Sequence, residues 1–173
     1  MTNVKFLNPF IEAAVEVLQV ECQVEAKKGN LSMQKLALTA DDITVMLSLV
    51  GEVQGVVLYG LSTEAGLGLV SRVMEQEFSE MDNLAQSGIA ELGNVITGRA
   101  TIKLSEAGIA SNISPPTLIQ GKGTQISTLD FDRIIVPLIT EVGIFTVHLA
   151  LRESPPGMRN TNFVSTIPAP ALR

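Results

Sequence analysis

The chain has 173 residues, a formal net charge of −6, 46% hydrophobic residues and only 4% aromatic residues, with no Trp. That length suits one domain with a core that needs no covalent staples. The scattered Lys and Arg and the scarcity of aromatics argue against nucleic-acid binding, which requires phosphate neutralisation and often base stacking. One cysteine, Cys22, excludes an internal disulfide framework and a cysteine-based zinc site. No apolar run approaches the roughly 20 residues of a membrane span, and "MTNVKFLNPF" lacks the pattern of a secretory signal, so a cytoplasmic protein is expected.

The first predicted element is a helix from Asn8 onward, with Asn8 as N-cap, Pro9 at the first helical position, and Lys27, Lys28 and Gly29 closing it. Phe10, Ala14, Val17, Leu18 and Cys22 supply its buried side. "SMQKLALTA" (32–40) reads as a strand. "DITVMLSLVG" and "VQGVVLYGLS" follow as stronger strands turning at Gly51-Glu52. "STEAGLGLVSRVMEQ" (62–76) reads as a helix capped by Ser62 or Thr63. The acidic connection "EFSEMDN" leads into a long helix from about Asp82 to Ala107, ended by Gly108. "SNISPPTLIQGKGTQI" is a turn-and-edge-strand region because of its prolines and glycines. "DRIIVPLITEVGIFTVHLALRE" gives two more strands around Gly143. Residues 1–153 are read as one domain and the Pro-rich 154–173 as an extended or poorly ordered tail.

Two segments resemble each other. "ITVMLSLVGEVQGVVLYGL" and "IIVPLITEVGIFTVHLAL" are both apolar hairpins, and each follows a helix carrying a glutamate in similar surroundings, "FIEAAVEVL" (10–18) and "IAELGNVIT" (89–97). The expected fold is therefore α+β, a layered arrangement of long helices on an antiparallel sheet, built from two pseudo-repeated helix-plus-hairpin halves. The helix at 62–76 is inserted between them.

On the long helix, Ser87, Glu91, Asn94, Gly98, Thr101 and Ser105 fall within an arc of roughly 80°. The large apolar side chains Ile89, Leu92 and Ile96 lie elsewhere on the cylinder. Mid-helix glycine costs about 1 kcal/mol relative to Ala, so Gly88, Gly93 and Gly98 require a reason: tight packing, or close approach of another molecule. Periodicity alone favours an ordinary solvated face for Glu91 and Asn94. His148, alone in an apolar strand, reads as structural or surface-exposed, and Cys22 as a small core residue. No metal-site, P-loop, dinucleotide or nucleophile-elbow pattern is present.

With these residues in view the chain resembles the CheC, CheX and FliY family of chemotaxis phosphatases. That family's motif is Asp or Ser, three residues, Glu, two residues, Asn, about 22 residues, then Pro. Ser87, Glu91 and Asn94 stand at those spacings, and Pro116 follows Asn94 after 21 intervening residues, with Pro115 before it. Either proline could be the motif residue. The first helix has Glu12 but Val15 where the Asn would stand, so one site is expected, as in CheX-like members. The resemblance covers roughly residues 5 to 152.

The resemblance implies hydrolysis of the aspartyl phosphate of a CheY-type response regulator. Asn94 would position the attacking water, and Glu91 would pair with the regulator's active-site lysine. Ser87 would make a smaller contact, Gly98 would leave room, and Pro115 or Pro116 would shape the adjoining loop. It implies a homodimer, no cofactor bound by this chain, and Mg²⁺ on the regulator. The competing reading is a non-catalytic dimeric adaptor that docks on a receiver domain or a flagellar-switch component.

Overall fold

The computed structural model describes residues 4–35, 37–128 and 131–156. A 3-10 turn (Val4–Phe6) runs into helix α1 (Leu7–Cys22). Two short strands follow, β1 (Lys27–Lys28) and β2 (Ser32–Gln34), then β3 (Leu38–Thr39) and the hairpin β4 (Ile43–Gly51) and β5 (Val53–Leu61). Helices α2 (Thr63–Val73) and α3 (Asn83–Glu106) come next. The remaining strands are β6 (Ser111–Ile113), β7 (Thr117–Gln120), β8 (Gln125–Ile126), β9 (Arg133–Thr140) and β10 (Gly143–Glu153). Among the described residues no helix is long and apolar enough to cross a membrane.

All described strand pairings are antiparallel. The main sheet runs β1–β9–β10–β5–β4–β6, with β2 also on β9 and β7 also on β4, while β3 and β8 form a separate ribbon. The two hairpins meet through their second strands, β5 and β10. Val57, Tyr59 and Leu61 align in sequence with Val147, Leu149 and Leu151, which makes Leu58 the counterpart of His148. Leu58 and His148 are also direct partners across the β5–β10 ladder, and Val57–Leu149 mirrors Tyr59–Val147 about them. A local two-fold axis therefore passes through that pair. The edge strands obey the same symmetry: β1 and β2, which follow α1, cap β9, whereas β6 and β7, which follow α3, cap β4. The repeat read from the sequence is thus a structural one, and α2 is the insertion between its halves.

The helices pack on one face of the sheet. Phe10, Val17 and Leu18 of α1, Ala85, Ile89, Leu92, Ile96 and Leu104 of α3, and Val45, Leu47, Tyr59, Phe145 and Val147 of the strands form the core. Period-two alternation places these strand residues on one side, and burial of their apolar area drives the layer together.

Helix α1 differs from expectation at both ends. It begins at Leu7, with no side-chain cap at Phe6, so Pro9 lies third in the first turn, where its missing N–H has no helical carbonyl to serve. It stops at Cys22 rather than reaching Lys28. Gln23 adopts a left-handed conformation (φ 53°) and Val24 N–H returns to the Leu18 carbonyl at 3.2 Å, a helix end built without glycine. Lys27 and Lys28 then pair with Leu138 and Ile139, because the open edge of β9 outbids continued helix for their backbone groups. The strand expected over 32–40 is divided between β2 on the main sheet and β3 in the ribbon. Of the two residues expected to cap α2, Ser62 does so, its side chain accepting from Ala65 N–H; α3 is capped in the same way by Asp82, which accepts from Ala85 N–H. Of the expected tail, Ser154 is buried and holds the β4–β5 turn, its N–H donating to the Glu52 carbonyl and its hydroxyl to that of Gly51. The remainder from 157 lies outside the described residues.

Candidate functional site

Helix α3 presents its apolar residues to the sheet and to α1, which leaves the polar stripe facing outward. Ser87, Glu91 and Ser105 are exposed; Asn94, Gly98 and Thr101 are half-buried. Asn94 Nδ2 donates to Glu91 Oε2 at 3.4 Å, a long bond that costs little to break. Ser87 donates its hydroxyl to the Asn83 carbonyl at 2.9 Å, and Thr101 donates to the Gly98 carbonyl at 2.8 Å. The six residues expected on one face, Ser87, Glu91, Asn94, Gly98, Thr101 and Ser105, are thus all exposed or half-buried on α3.

The three glycines have different causes. A Cβ on Gly88 would lie 2.5 Å from Val70 Cγ2, and one on Gly93 would lie 2.8 Å from Val45 Cγ1. These two let α3 approach α2 and the sheet. A Cβ on Gly98 would meet nothing within 4 Å, so packing inside the protein does not explain that glycine.

Beneath the stripe, α3 is pinned to the sheet by buried hydroxyls. Thr97 donates to the Gly93 carbonyl at 2.8 Å, which leaves its oxygen to accept from the Tyr59 hydroxyl at 2.8 Å. Burial pushes the Tyr59 phenol well above its usual range, so it stays a neutral donor. This chain fixes the rotation of α3 one turn below Asn94. Tyr59, the only tyrosine, carried no sequence signal for that role beyond being a polar aromatic in an apolar strand.

Pro115 and Pro116 lie at the corner between β6 and β7, Pro115 exposed and Pro116 half-buried. Ser114 anchors the corner by accepting from Ser48 N–H through its hydroxyl oxygen at 2.9 Å. Both flanking strands pack against α3, but no described hydrogen bond joins either proline to Glu91 or Asn94.

The equivalent place on α1 is occupied differently. Glu12, the counterpart of Glu91, lies 3.5 Å from Lys103 Nζ, and Glu16 lies 2.7 Å from it. Glu16 also reaches Arg99 at 4.0 Å. The hydrogen bond to Glu16 pushes the Lys103 ammonium above its ordinary range. Glu12 is thus committed to the α1–α3 seam.

Sequence reasoning missed a groove beside the stripe, about 330 Å³ in volume. Its apolar lining is Val73, Met74, Leu92 and Val95, and Glu21 and Glu91 also border it. Nothing in the sequence placed the end of α2 next to Glu91.

Comparisons with known proteins agree with this architecture. A family model described as "Chemotaxis phosphatase CheX" matches residues 43–138, more than half of the chain. The CheY-P phosphatase CheX of Thermotoga maritima is 26% identical over 152 residues, covering 87% of this chain and 98% of that protein. Among solved structures, a CheC-like superfamily protein from Shewanella sp. PV-4 superposes with a TM-score of 0.79 at 24% identity, over 87% of this chain and 99% of that one. The CheX of a CheX–CheY–BeF3–Mg complex from Borrelia burgdorferi gives 0.74 at 26% identity, over 87% and 100%.

Proposed function

This chain belongs to the CheX family of chemotaxis phosphatases, and on that premise we propose that it hydrolyses the aspartyl phosphate of a CheY-type receiver domain. The observation that carries the reading is the Glu91–Asn94 pair, held outward on a rigid helix beside a glycine whose missing Cβ would meet nothing within 4 Å among the described residues. The Thermotoga relative is a CheY-P phosphatase, and the Borrelia relative was solved with CheY, BeF3 and Mg. Work in the cytoplasm as a homodimer, the form the family resemblance implies, completes the proposal; light scattering that returns a monomer mass would remove the dimer from it.

The chemistry needs little from this chain. An acyl phosphate is already labile, and the receiver supplies Mg²⁺ and a lysine that neutralise phosphoryl charge. What remains is to hold a water in line with phosphorus, since positioning is a large part of phosphoryl-transfer catalysis. The Asn94 carboxamide can donate to and accept from that water without bringing negative charge towards the phosphoryl group. Glu91 releases its long bond to Asn94 and accepts from the receiver's lysine, fixing α3 in register. Ser87 adds a hydrogen bond on the same stripe. Pro115 and Pro116 shape the β6–β7 corner beside it.

The test is phosphate release from a phosphorylated receiver, compared with the receiver's own decay. The chain should accelerate the decay, and Asn94→Ala should reduce the acceleration at least about a hundredfold while leaving binding intact. Acceleration by Asn94→Ala equal to wild type overturns the water-positioning role. Absence of acceleration on every receiver of the organism overturns the function.

A further inference from the structure

We infer that the groove between the ends of α1 and α2 and the N-terminal half of α3 seats an apolar side chain of the receiver that is flanked by basic residues, and so sets which receiver is accepted. This rests on the phosphatase reading above and deepens it. The stripe alone offers a partner little apolar area: Ser87, Glu91, Asn94 and a glycine. The groove lies directly beside it and shares Ser87 and Glu91 as lining, so a receiver engaging Glu91 covers both. Val73, Met74 and Val95 are each half-buried, which leaves apolar surface for a partner to remove from water.

Gly88 makes the groove possible. Its missing Cβ lets Val70 and Met74 come against α3, where a methyl group would lie 2.5 Å and 3.2 Å from them. Gly88 therefore serves the docking surface and Gly98 the reacting centre.

The border of the groove fixes the sign of the occupant's neighbours. Glu21 on α1 and Glu91 on α3 are both exposed, and among the described residues no basic side chain lines the space. Among the described residues neither carboxylate is in an ion pair with a Lys or Arg of this chain. An apolar residue flanked by Lys or Arg suits this geometry; one flanked by Asp or Glu is rejected, because like charges would meet over a partly desolvated surface. The lysine paired with Glu91 supplies one cation, and Glu21 calls for a second on the opposite side.

The experiment is an anisotropy titration of a labelled CheY-type receiver, held active with BeF3⁻ and Mg²⁺, against the full chain and its variants. Met74→Gln should raise Kd roughly tenfold, whereas Met74→Leu should stay within about twofold of wild type. Val95→Thr, which keeps the side chain's shape at a half-buried position and is checked by its melting temperature, should raise Kd roughly threefold. Glu21→Gln should flatten the salt dependence of the association rate. Phosphate release at saturating receiver should stay within about twofold of wild type in all four variants, which separates docking from chemistry. Unchanged Kd in Met74→Gln and Val95→Thr, with turnover still lost in Asn94→Ala, overturns the groove and leaves the phosphatase reading standing. A wild-type chain that neither binds nor dephosphorylates any receiver overturns both.

Discussion

Gly98 allows stability and activity to be driven in opposite directions by one side chain. It sits inside α3 with helical backbone, and an added Cβ would have no neighbour within 4 Å. Glycine is disfavoured there by about 0.8–1 kcal/mol relative to Ala, and no contact of the fold offsets that. Gly98→Ala should therefore stabilise by about 1 kcal/mol, a rise in Tm of about 2–4 °C for a domain of this size. Gly98→Leu should stabilise by nearly as much, because leucine is almost as good a helix former and its side chain can lie over Asn94 and Thr101. The same side chain would stand where the receiver's phosphoryl site has to approach. Phosphate release should fall at least about tenfold in Gly98→Leu, with an unaltered circular-dichroism spectrum and a raised melting temperature. Calorimetry and single-turnover phosphate release on the same preparations give both numbers. If Gly98→Leu keeps wild-type turnover, nothing approaches the helix there and the assignment of the stripe fails. If Gly98→Ala is destabilised, Gly98 has a packing role inside the protein.

Other perturbations probe the supports of the site. Tyr59→Phe leaves the buried Thr97 hydroxyl oxygen without its donor and should cost about 1–2 kcal/mol in urea titrations, with turnover falling only as α3 loosens. Gly93→Ala should destabilise more and reduce turnover, because the new methyl group would push α3 off Val45 and Tyr59; wild-type stability would show that the helix can shift freely. His148 is buried, and desolvation, assisted by the nearby Arg133, holds its pKa at about 4, below the usual imidazole value of 6.5. The unfolded chain thus takes up this proton first: the stabilising contribution is complete above pH 6.5 and is lost as pH falls towards 4, on the order of 3 kcal/mol in all. Asp41, raised by its own desolvation and by Asp42, acts in the opposite sense at the acid end, so the comparison is made with His148→Leu. That variant should lose less stability between pH 6.5 and 4, and stability profiles parallel to wild type across this window would refute the role of His148.

What could be read from the sequence followed how local each signal is. The β4–β5 and β9–β10 hairpins and the limits of α3 were legible because alternation, the change from the acidic connection to a helical pattern near Asp82, and a Gly108 end act over a few residues. The outward stripe was legible because helical periodicity alone places Ser87, Glu91, Asn94 and Gly98 together. The end of α1 was not, since Gln23 supplies a left-handed cap without glycine and the neighbouring lysines answer to a strand more than 100 residues away. The groove was invisible for the same reason: Glu21, Val73 and Val95 come from three helices and meet only in the folded chain. Glycine at 88, 93 and 98 gave one signal for two physical causes, and only the surrounding atoms separate them.

The two-fold axis of the sheet sharpens the question of why one half carries the site. Aligning the helices on Glu12 and Glu91 places Val15 opposite Asn94, Glu16 opposite Val95 and Gln19 opposite Gly98. Restoring an asparagine at position 15 would therefore not rebuild a site on α1. Gln19 would still stand where the bare glycine is needed, and Glu16 would bring negative charge beside the place of a water that must attack a phosphoryl group. Glu12 itself is drawn into the seam by Lys103, a residue of the opposite half. The charge kept on α1 thus holds together the two helices whose packing orients α3, and the one on α3 is left free to face a partner. On the proposed function, the lack of a second site on α1 and the rigidity of the one on α3 follow from the same few side chains.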